Sequence, residues 1–290
     1  MMAARFKPLG PLHLGAKQVA GVEDIGGDLV AHLPTPSTAL GALAYIYREA
    51  GAAGGGTDAL QILGCRAVWG PLVEIGGRRY FYAEGRLYRV EQLGEYLSCA
   101  KGEGQSPRAE GGVRAYEKPG VRLGPEKAVE NLYHALFTYI NGASPGEVAF
   151  LYYIDCERAK PIKTVARLGG EGRAALVEVD QDPGGPKQCS EGVLLSPLLF
   201  YSEGPTAEVG GAKGLEEVEE VYGVCGEKGP KVKSTYVGLG YNMAEGRRRA
   251  VYQALPPGTA LKLKTAATNV GLHKERGYGS VLCKDQKNKP

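Results

Sequence analysis

No run of eighteen or more uncharged apolar residues occurs in the 290-residue sequence, so a membrane-spanning helix is not expected. The start, Met1 to Pro11, lacks the charged-then-apolar order of a secretory leader, and a soluble, cytoplasmic protein is the expectation. Common catalytic signatures are missing as well: there is no GxxxxGK[ST] phosphate loop, no HExxH and no GxSxG. Gly238-Leu239-Gly240 has the opening spacing of a dinucleotide fingerprint, but the third glycine is misplaced and no βαβ pattern surrounds it. The six cysteines, Cys65, Cys99, Cys156, Cys189, Cys225 and Cys283, are scattered without a CxxC pair, so neither a local zinc site nor any cofactor is expected. Asn and Gln are sparse while Tyr, Glu, Lys and Arg are plentiful, a bias of heat-adapted proteins, in which intracellular disulfides occur. Disulfide pairing is therefore left open. Histidine is scarce, and none of His13, His32, His134 and His273 sits in a recognisable motif.

What is present is a strong charge asymmetry under a net charge of only +3. From Glu203 to Glu227 seven glutamates face the single base Lys213, whereas Lys228 to Pro290 holds thirteen bases against Glu245, Glu275 and Asp285, a net of +10. A basic region of that density suits phosphate contact, with a solvated surface as the competing reading.

At 43% hydrophobic residues, the chain has the length for one large domain or two ordinary ones. Ala4 to Leu14 reads as an opening strand. Leu40, Leu43, Ala44 and Tyr47 share one helical face, with Ser37 or Thr38 as N-cap and the Gly51 to Gly56 cluster as the stop. Arg66 to Val90 reads as a strand meander turning at Gly76-Gly77 and Glu84-Gly85. Its Arg78, Arg79, Arg86 and Arg89 alternate with Tyr80, Tyr82 and Tyr88, a pattern that suits a nucleic-acid backbone with bases stacked alongside, or simply a charged hairpin face. Lys101 to Gly120, poor in large aliphatics, reads as a mobile loop. Leu132 to Ile140 has helical periodicity and strand-like aromatic content, and stays open between helix and strand. Ala175 to Val179 reads as a strand, Val193 to Tyr201 as buried, and Leu261 to Lys264 as an alternating edge strand.

Four segments, in order along nearly the whole chain, resemble the Cmr subunit three family, the Cas-five-like RAMP proteins of type III-B CRISPR effectors. They are Leu33-Pro34-Thr35-Pro36-Ser37-Thr38-Ala39-Leu40-Gly41-Ala42-Leu43; Leu168-Gly169-Gly170-Glu171-Gly172-Arg173; Gly238-Leu239-Gly240-Tyr241 through Ala254-Leu255-Pro256-Pro257-Gly258-Thr259; and Lys274-Glu275-Arg276-Gly277-Tyr278-Gly279-Ser280-Val281. The stretch between Arg66 and Gly120 departs from the family pattern.

The resemblance implies an α+β protein of two ferredoxin-like (RRM-like, RAMP) modules packed side by side, residues 1–165 and 166–290, with a β-hairpin and mobile loop inserted in the first. It would make Leu132 to Ile140 a strand pairing with Val148 to Ile154. It also implies a non-catalytic, antiviral role: holding the 5′ tag of the CRISPR RNA, docking on the large Cas-ten subunit and touching neighbouring backbone RAMP subunits, with no membrane partner. Ser37, Thr38, the loop Gly169, Gly170 to Arg173, and Gly277 to Gly279 would line the RNA-facing side. The residue reading adds Arg78, Arg79, Arg173, Arg247, Arg248, Arg249, Lys274 and Arg276 as phosphate contacts. The enzyme alternative is a metal-independent, RAMP-type endoribonuclease with His13 or His32 as base; the interaction alternative is a structural subunit whose basic end meets an acidic protein.

Overall fold

The computed structural model describes residues 1–15, 30–202, 212–242 and 246–284. Its first sheet is built from β1 (Met2–Pro8), β2 (Cys65–Ile75), β3 (Arg78–Ala83), β4 (Arg86–Arg89), β5 (Gly111–Leu123), β6 (Val129–Asn141), β7 (Val148–Cys156), β8 (Ile162–Arg167) and β9 (Ala174–Gln181). These run in the order β6-β5-β4-β3-β2-β7-β1-β9-β8, every neighbour antiparallel. The sheet curls: Leu12 bridges Thr138 on edge strand β6, while the next residue, His13, bridges Gly170 in the β8–β9 turn.

Helix α1 (Pro36–Glu49) covers one face through Ala39, Leu40, Leu43, Ala44, Ile46 and Tyr47, all buried. That is the expected apolar stripe, but its cap differs from expectation. Thr35, not Ser37 or Thr38, is the N-cap, accepting from the Thr38 amide at 3.3 Å. The reason lies in Pro36, whose fixed φ and missing N–H suit the first helical position and push the cap one residue earlier. Gly51, at φ 68°, follows the helix as its stop.

The Arg66 to Val90 meander forms as expected, because Gly76-Gly77 and Glu84-Gly85 all adopt positive φ, the backbone a two-residue hairpin turn requires. The expected mobile loop is overturned in part: from Gly111 onward it is β5, paired along its length with β6. Ladder hydrogen bonds rather than burial define β5 beyond Val113, since Arg114 to Pro119 are exposed, and the sequence therefore carried no apolar signal for that strand. Leu132 to Ile140 is a strand, yet it pairs with β5 and not with Val148 to Ile154, because β7 is already flanked on both edges by β1 and β2.

Beyond Gln181 come β10 (Cys189–Leu194), β11 (Leu198–Phe200), β12 (Val218–Val224), β13 (Thr235–Gly238), β14 (Tyr241–Asn242), β15 (Arg247–Arg248), β16 (Val251–Leu255), β17 (Thr259–Ala267) and β18 (Val281–Cys283). They make a four-stranded sheet, β12-β17-β10-β18, a three-stranded sheet, β11-β16-β13, and the ribbon β14–β15. Leu261 to Lys264 is thus an interior strand, not an edge. Its alternation survives because one face is buried and the other meets solvent, as an antiparallel sheet allows at any position. Of the Val193 to Tyr201 segment expected to be buried, Val193 to Ser196 and Leu198 to Phe200 are, whereas Tyr201 at its end is exposed.

In both large sheets four strands follow the same order. β2-β7-β1-β9 and β12-β17-β10-β18 each place the second, third, first and fourth strands side by side, antiparallel throughout. The first set carries α1 between its first two strands. The position 165/166 lies inside β8, whose hairpin with β9 belongs to the first sheet.

Helix α3 (Leu93–Ala100) joins the halves: Leu93, Tyr96 and Leu97 share one core with Val193, Val224, Ala260 and Leu282. Tyr96 donates to the Gly258 carbonyl at 2.9 Å. Three disulfides close the structure, Cys65–Cys156 between β2 and β7, Cys189–Cys283 between β10 and β18, and Cys99–Cys225 between α3 and the segment after β12. This resolves the pairing the sequence left open.

Candidate nucleic-acid interface

The N-terminus of α1 and the Lys274 to Ser280 segment, 236 residues apart at their nearest named members Thr38 and Lys274, meet in space. Ser37 Oγ lies 2.9 Å from the hydroxyl of the fully buried Tyr278. The flanking glycines are sterically required. Gly277 (φ 96°) sits where a Cβ would come within 3.0 Å of Val68, and Gly279 (φ 62°) where it would meet the Val270 carbonyl oxygen at 1.8 Å. A 3₁₀ turn, Lys274–Arg276, is thereby held beside α1 and β2.

Charge gathers around this junction. Arg276 forms an ion pair with Asp58, the N-cap of α2 (Ala59–Leu63), and Lys274 reaches Glu217 at 2.7 Å. Burial raises the Asp58 pKa, but the hydrogen bonds from Arg276 and the Leu60 amide, with the charges of Arg276 and Arg249, outweigh it and hold the carboxyl below its ordinary range. His273, in left-handed backbone at φ 58°, places Nε2 3.0 Å from the Tyr252 hydroxyl. Its pKa is lowered chiefly by burial; Glu275 opposes this, and the charges of Arg276 and Arg249 add to it. Arg249 forms no ion pair among the described residues. The site thus combines a helix N-terminus, hydroxyls, a tight glycine-framed turn and clustered cations, groups able to accept a phosphodiester backbone.

The Asp58 shift has a testable sign. A carboxylate with a depressed folded pKa contributes stability above its unfolded pKa and loses it as pH falls through the folded value. Asp58→Asn keeps a capping side chain but removes the charge, and is expected to cost about 1 kcal/mol at neutral pH. Melting curves of the two proteins should converge on acidification to below the ordinary aspartate range; a gap that persists there would contradict the ion-pair assignment.

Other expected contacts are placed elsewhere. Gly169 and Gly170 form the β8–β9 turn and pack on segment 12–14: a Cβ on Gly169 would lie 2.3 Å from the His13 oxygen, and the Gly170 amide donates to that same oxygen at 2.8 Å. Arg173 stacks its guanidinium over Phe137 at 4.3 Å, and its buried Nε has no hydrogen-bond partner among the described residues. Arg78 is exposed on β3. Arg79 is committed to Glu74 at 3.0 Å and Asp182 at 3.1 Å, in a network that Arg5 completes. The tyrosines of the meander, Tyr80, Tyr82 and Tyr88, are buried core residues, which corrects their reading as base-stacking groups. Arg247 and Arg248 pair with Asn242 and Tyr241 in the β14–β15 ribbon. His13 Nδ1 lies 2.9 Å from the Leu136 carbonyl, and His32 Nδ1 is bonded to the Tyr82 hydroxyl.

Sequence reasoning missed Asp58 and Tyr252. Asp58 stands in no motif, Tyr252 lies unmarked inside the Gly238 to Thr259 segment, and both are drawn to the junction by chain reversals that no local pattern encodes. No group of His, Cys, Asp or Glu suited to a metal ion occurs among the described residues, and no helix among them is long and apolar enough to cross a membrane.

No family model matches the sequence, and no curated protein matches it. Solved structures do. A chain in the cryo-EM structure of the type III-B Cmr-beta bound to cognate target RNA superposes with a TM-score of 0.65 at 18% identity, over 90% of this chain and 86% of that one. The fold is shared with a type III-B Cmr complex chain. The same complex bound to cognate target RNA and AMPPnP gives a TM-score of 0.62 at 19% identity, again over 90% and 86% of the two chains. The Cmr likeness covers nine-tenths of the chain, too much to be confined to either large sheet.

Proposed function

We propose that this protein is the non-catalytic subunit of a type III-B CRISPR effector that holds the 5′ tag of the CRISPR RNA and docks on the large Cas-ten subunit and neighbouring backbone RAMP subunits in antiviral defence. The observation that carries the reading is the junction itself: Ser37 and the Lys274 to Gly279 turn, expected on the RNA-facing side, share a hydrogen bond through Tyr278 in a fold that matches Cmr-beta. The repeated four-strand order is read as two ferredoxin-like modules. In the first, the β8 hairpin stands where the second helix of that motif would be, and the β3 to β6 strands are the insertion.

Phosphates would be neutralised by Arg249 and the Arg247 to Arg248 ribbon, with Ser37 and Thr38 hydroxyls fixing the register of the strand. RNA binding supported by phosphate contacts and hydroxyls needs no general base. Purifying the tagged chain with its native neighbours and sequencing the bound small RNAs tests this. A common short 5′ sequence followed by varied guide sequence is expected; RNAs with unrelated 5′ ends would contradict the tag-holding role.

A further inference from the structure

A second feature lies away from the α1 junction. A cavity of 360 Å³ opens between the segment Pro8 to Leu12 and the base of the β5–β6 hairpin, within the range of about 300–1,000 Å³ typical of small-molecule sites. Its inner wall is apolar, from Leu12, Val113, Ile140, Val148 and Phe150, all buried. Tyr116 and Tyr139 also line it, 39% and 41% exposed, and contact each other edge to face at 6.0 Å.

His32 is the imidazole of the lining. Burial pushes the Tyr82 phenol up to about 12. The phenol therefore keeps its proton, and its hydroxyl shares a hydrogen bond with His32 Nδ1. Burial also lowers the His32 pKa, so the ring is neutral at neutral pH. The lining thus offers flat aromatic surface and one neutral imidazole edge.

Next to the cavity stands an arginine without a carboxylate partner among the described residues. Tyr116 stacks on Phe137 at 5.7 Å, and Arg173 covers Phe137 at 4.3 Å with no ion pair among the described residues. A cation one ring away from an aromatic, mostly apolar cavity matches the two ends of a nucleotide, whose phosphate is anionic and whose base has apolar faces with acceptor atoms on its edge. We infer that this cavity receives one unstacked nucleobase of a bound RNA, with Arg173 engaging its phosphate. The inference rests on the RNA-binding reading above but assigns a site separate from the α1 junction. It also accounts for an exposed tyrosine pair at the root of a hairpin whose outer residues Arg114 and Lys118 are exposed cations.

The test uses the full chain in its native complex, bound to guide RNAs carrying 2-aminopurine at one position at a time. Ala143→Phe fills the cavity, and Tyr116→Ala removes its mouth from an exposed position. One RNA position is expected to show a fluorescence change on binding that both variants abolish, with RNA affinity falling about tenfold, the size of one lost base contact. Wild-type complex that binds RNA while no position responds to either variant would overturn the base site alone. Wild-type complex that binds no RNA would overturn both this inference and the function on which it rests.

Discussion

Reversing Arg247, Arg248 and Arg249 to glutamate is expected to weaken RNA binding by at least about 100-fold at moderate salt. The three arginines sit in the region of net charge +10, and Arg249 is close enough to the junction for its charge to be felt at Asp58, His273 and Tyr278. Each phosphate contact on a single strand releases about 0.7 of a counterion, so removing three should flatten the slope of log affinity against log salt by about 2. The β14–β15 ribbon that holds two of them is a small separate ladder, and neither large sheet depends on it. Circular dichroism should therefore be unchanged while affinity and salt slope both fall. Equal affinity and an equal slope in the variant would place the RNA elsewhere on the protein.

The other large effect is on stability. Cys99→Ser with Cys225→Ser removes the crosslink between α3 and the second half, which spans a sequence separation of 126 residues. Closing a loop of that length restricts the unfolded chain by about 4–5 kcal/mol in the chain-entropy model. Shared burial of Leu93, Tyr96 and Leu97 against Val193, Val224 and Ala260 would still hold the halves together, so the variant should fold. Its melting temperature is expected to drop by about 10 °C under non-reducing conditions. The same drop should appear in wild-type protein when the disulfides are reduced, with contributions from the other two added. Coincident melting of variant and wild type would show that Cys99 and Cys225 are not joined in the native protein.

How much of this could be read from the sequence depends on what held each element. α1 was legible because its stripe Leu40, Leu43, Ala44 and Tyr47 is buried, and burial leaves a periodic signature. The hairpins at Gly76-Gly77 and Glu84-Gly85 were legible because their turns demand positive φ. β5 was not, because an exposed ladder needs only backbone hydrogen bonds, which every residue supplies. The edge reading of Leu261 to Lys264 failed for a related reason: one-sided alternation reports a solvent-facing sheet surface, not a strand's place in the order.

For the site, the glycines at 277 and 279, expected to line the RNA-facing side, are required by close approach to Val68 and Val270 within the protein. Gly169 and Gly170 have the same explanation in His13. Arg79 read as a free cation because its partners Glu74 and Asp182 include one more than a hundred residues away, at a separation of 103. Charge counted along a chain does not distinguish cations spent on carboxylates from those left for phosphate. Arg173 and Arg249 fall in the second group among the described residues.

The most direct measurement of the central claim is photocrosslinking of the native complex, with the crosslinked nucleotide and residue both mapped by mass spectrometry. The account predicts crosslinks from the first nucleotides of the guide RNA to the Lys274 to Gly279 turn, the start of α1 or the Arg247 to Arg249 segment. Crosslinks confined to the middle of the guide, or a complex in which this chain contacts no RNA, would contradict it.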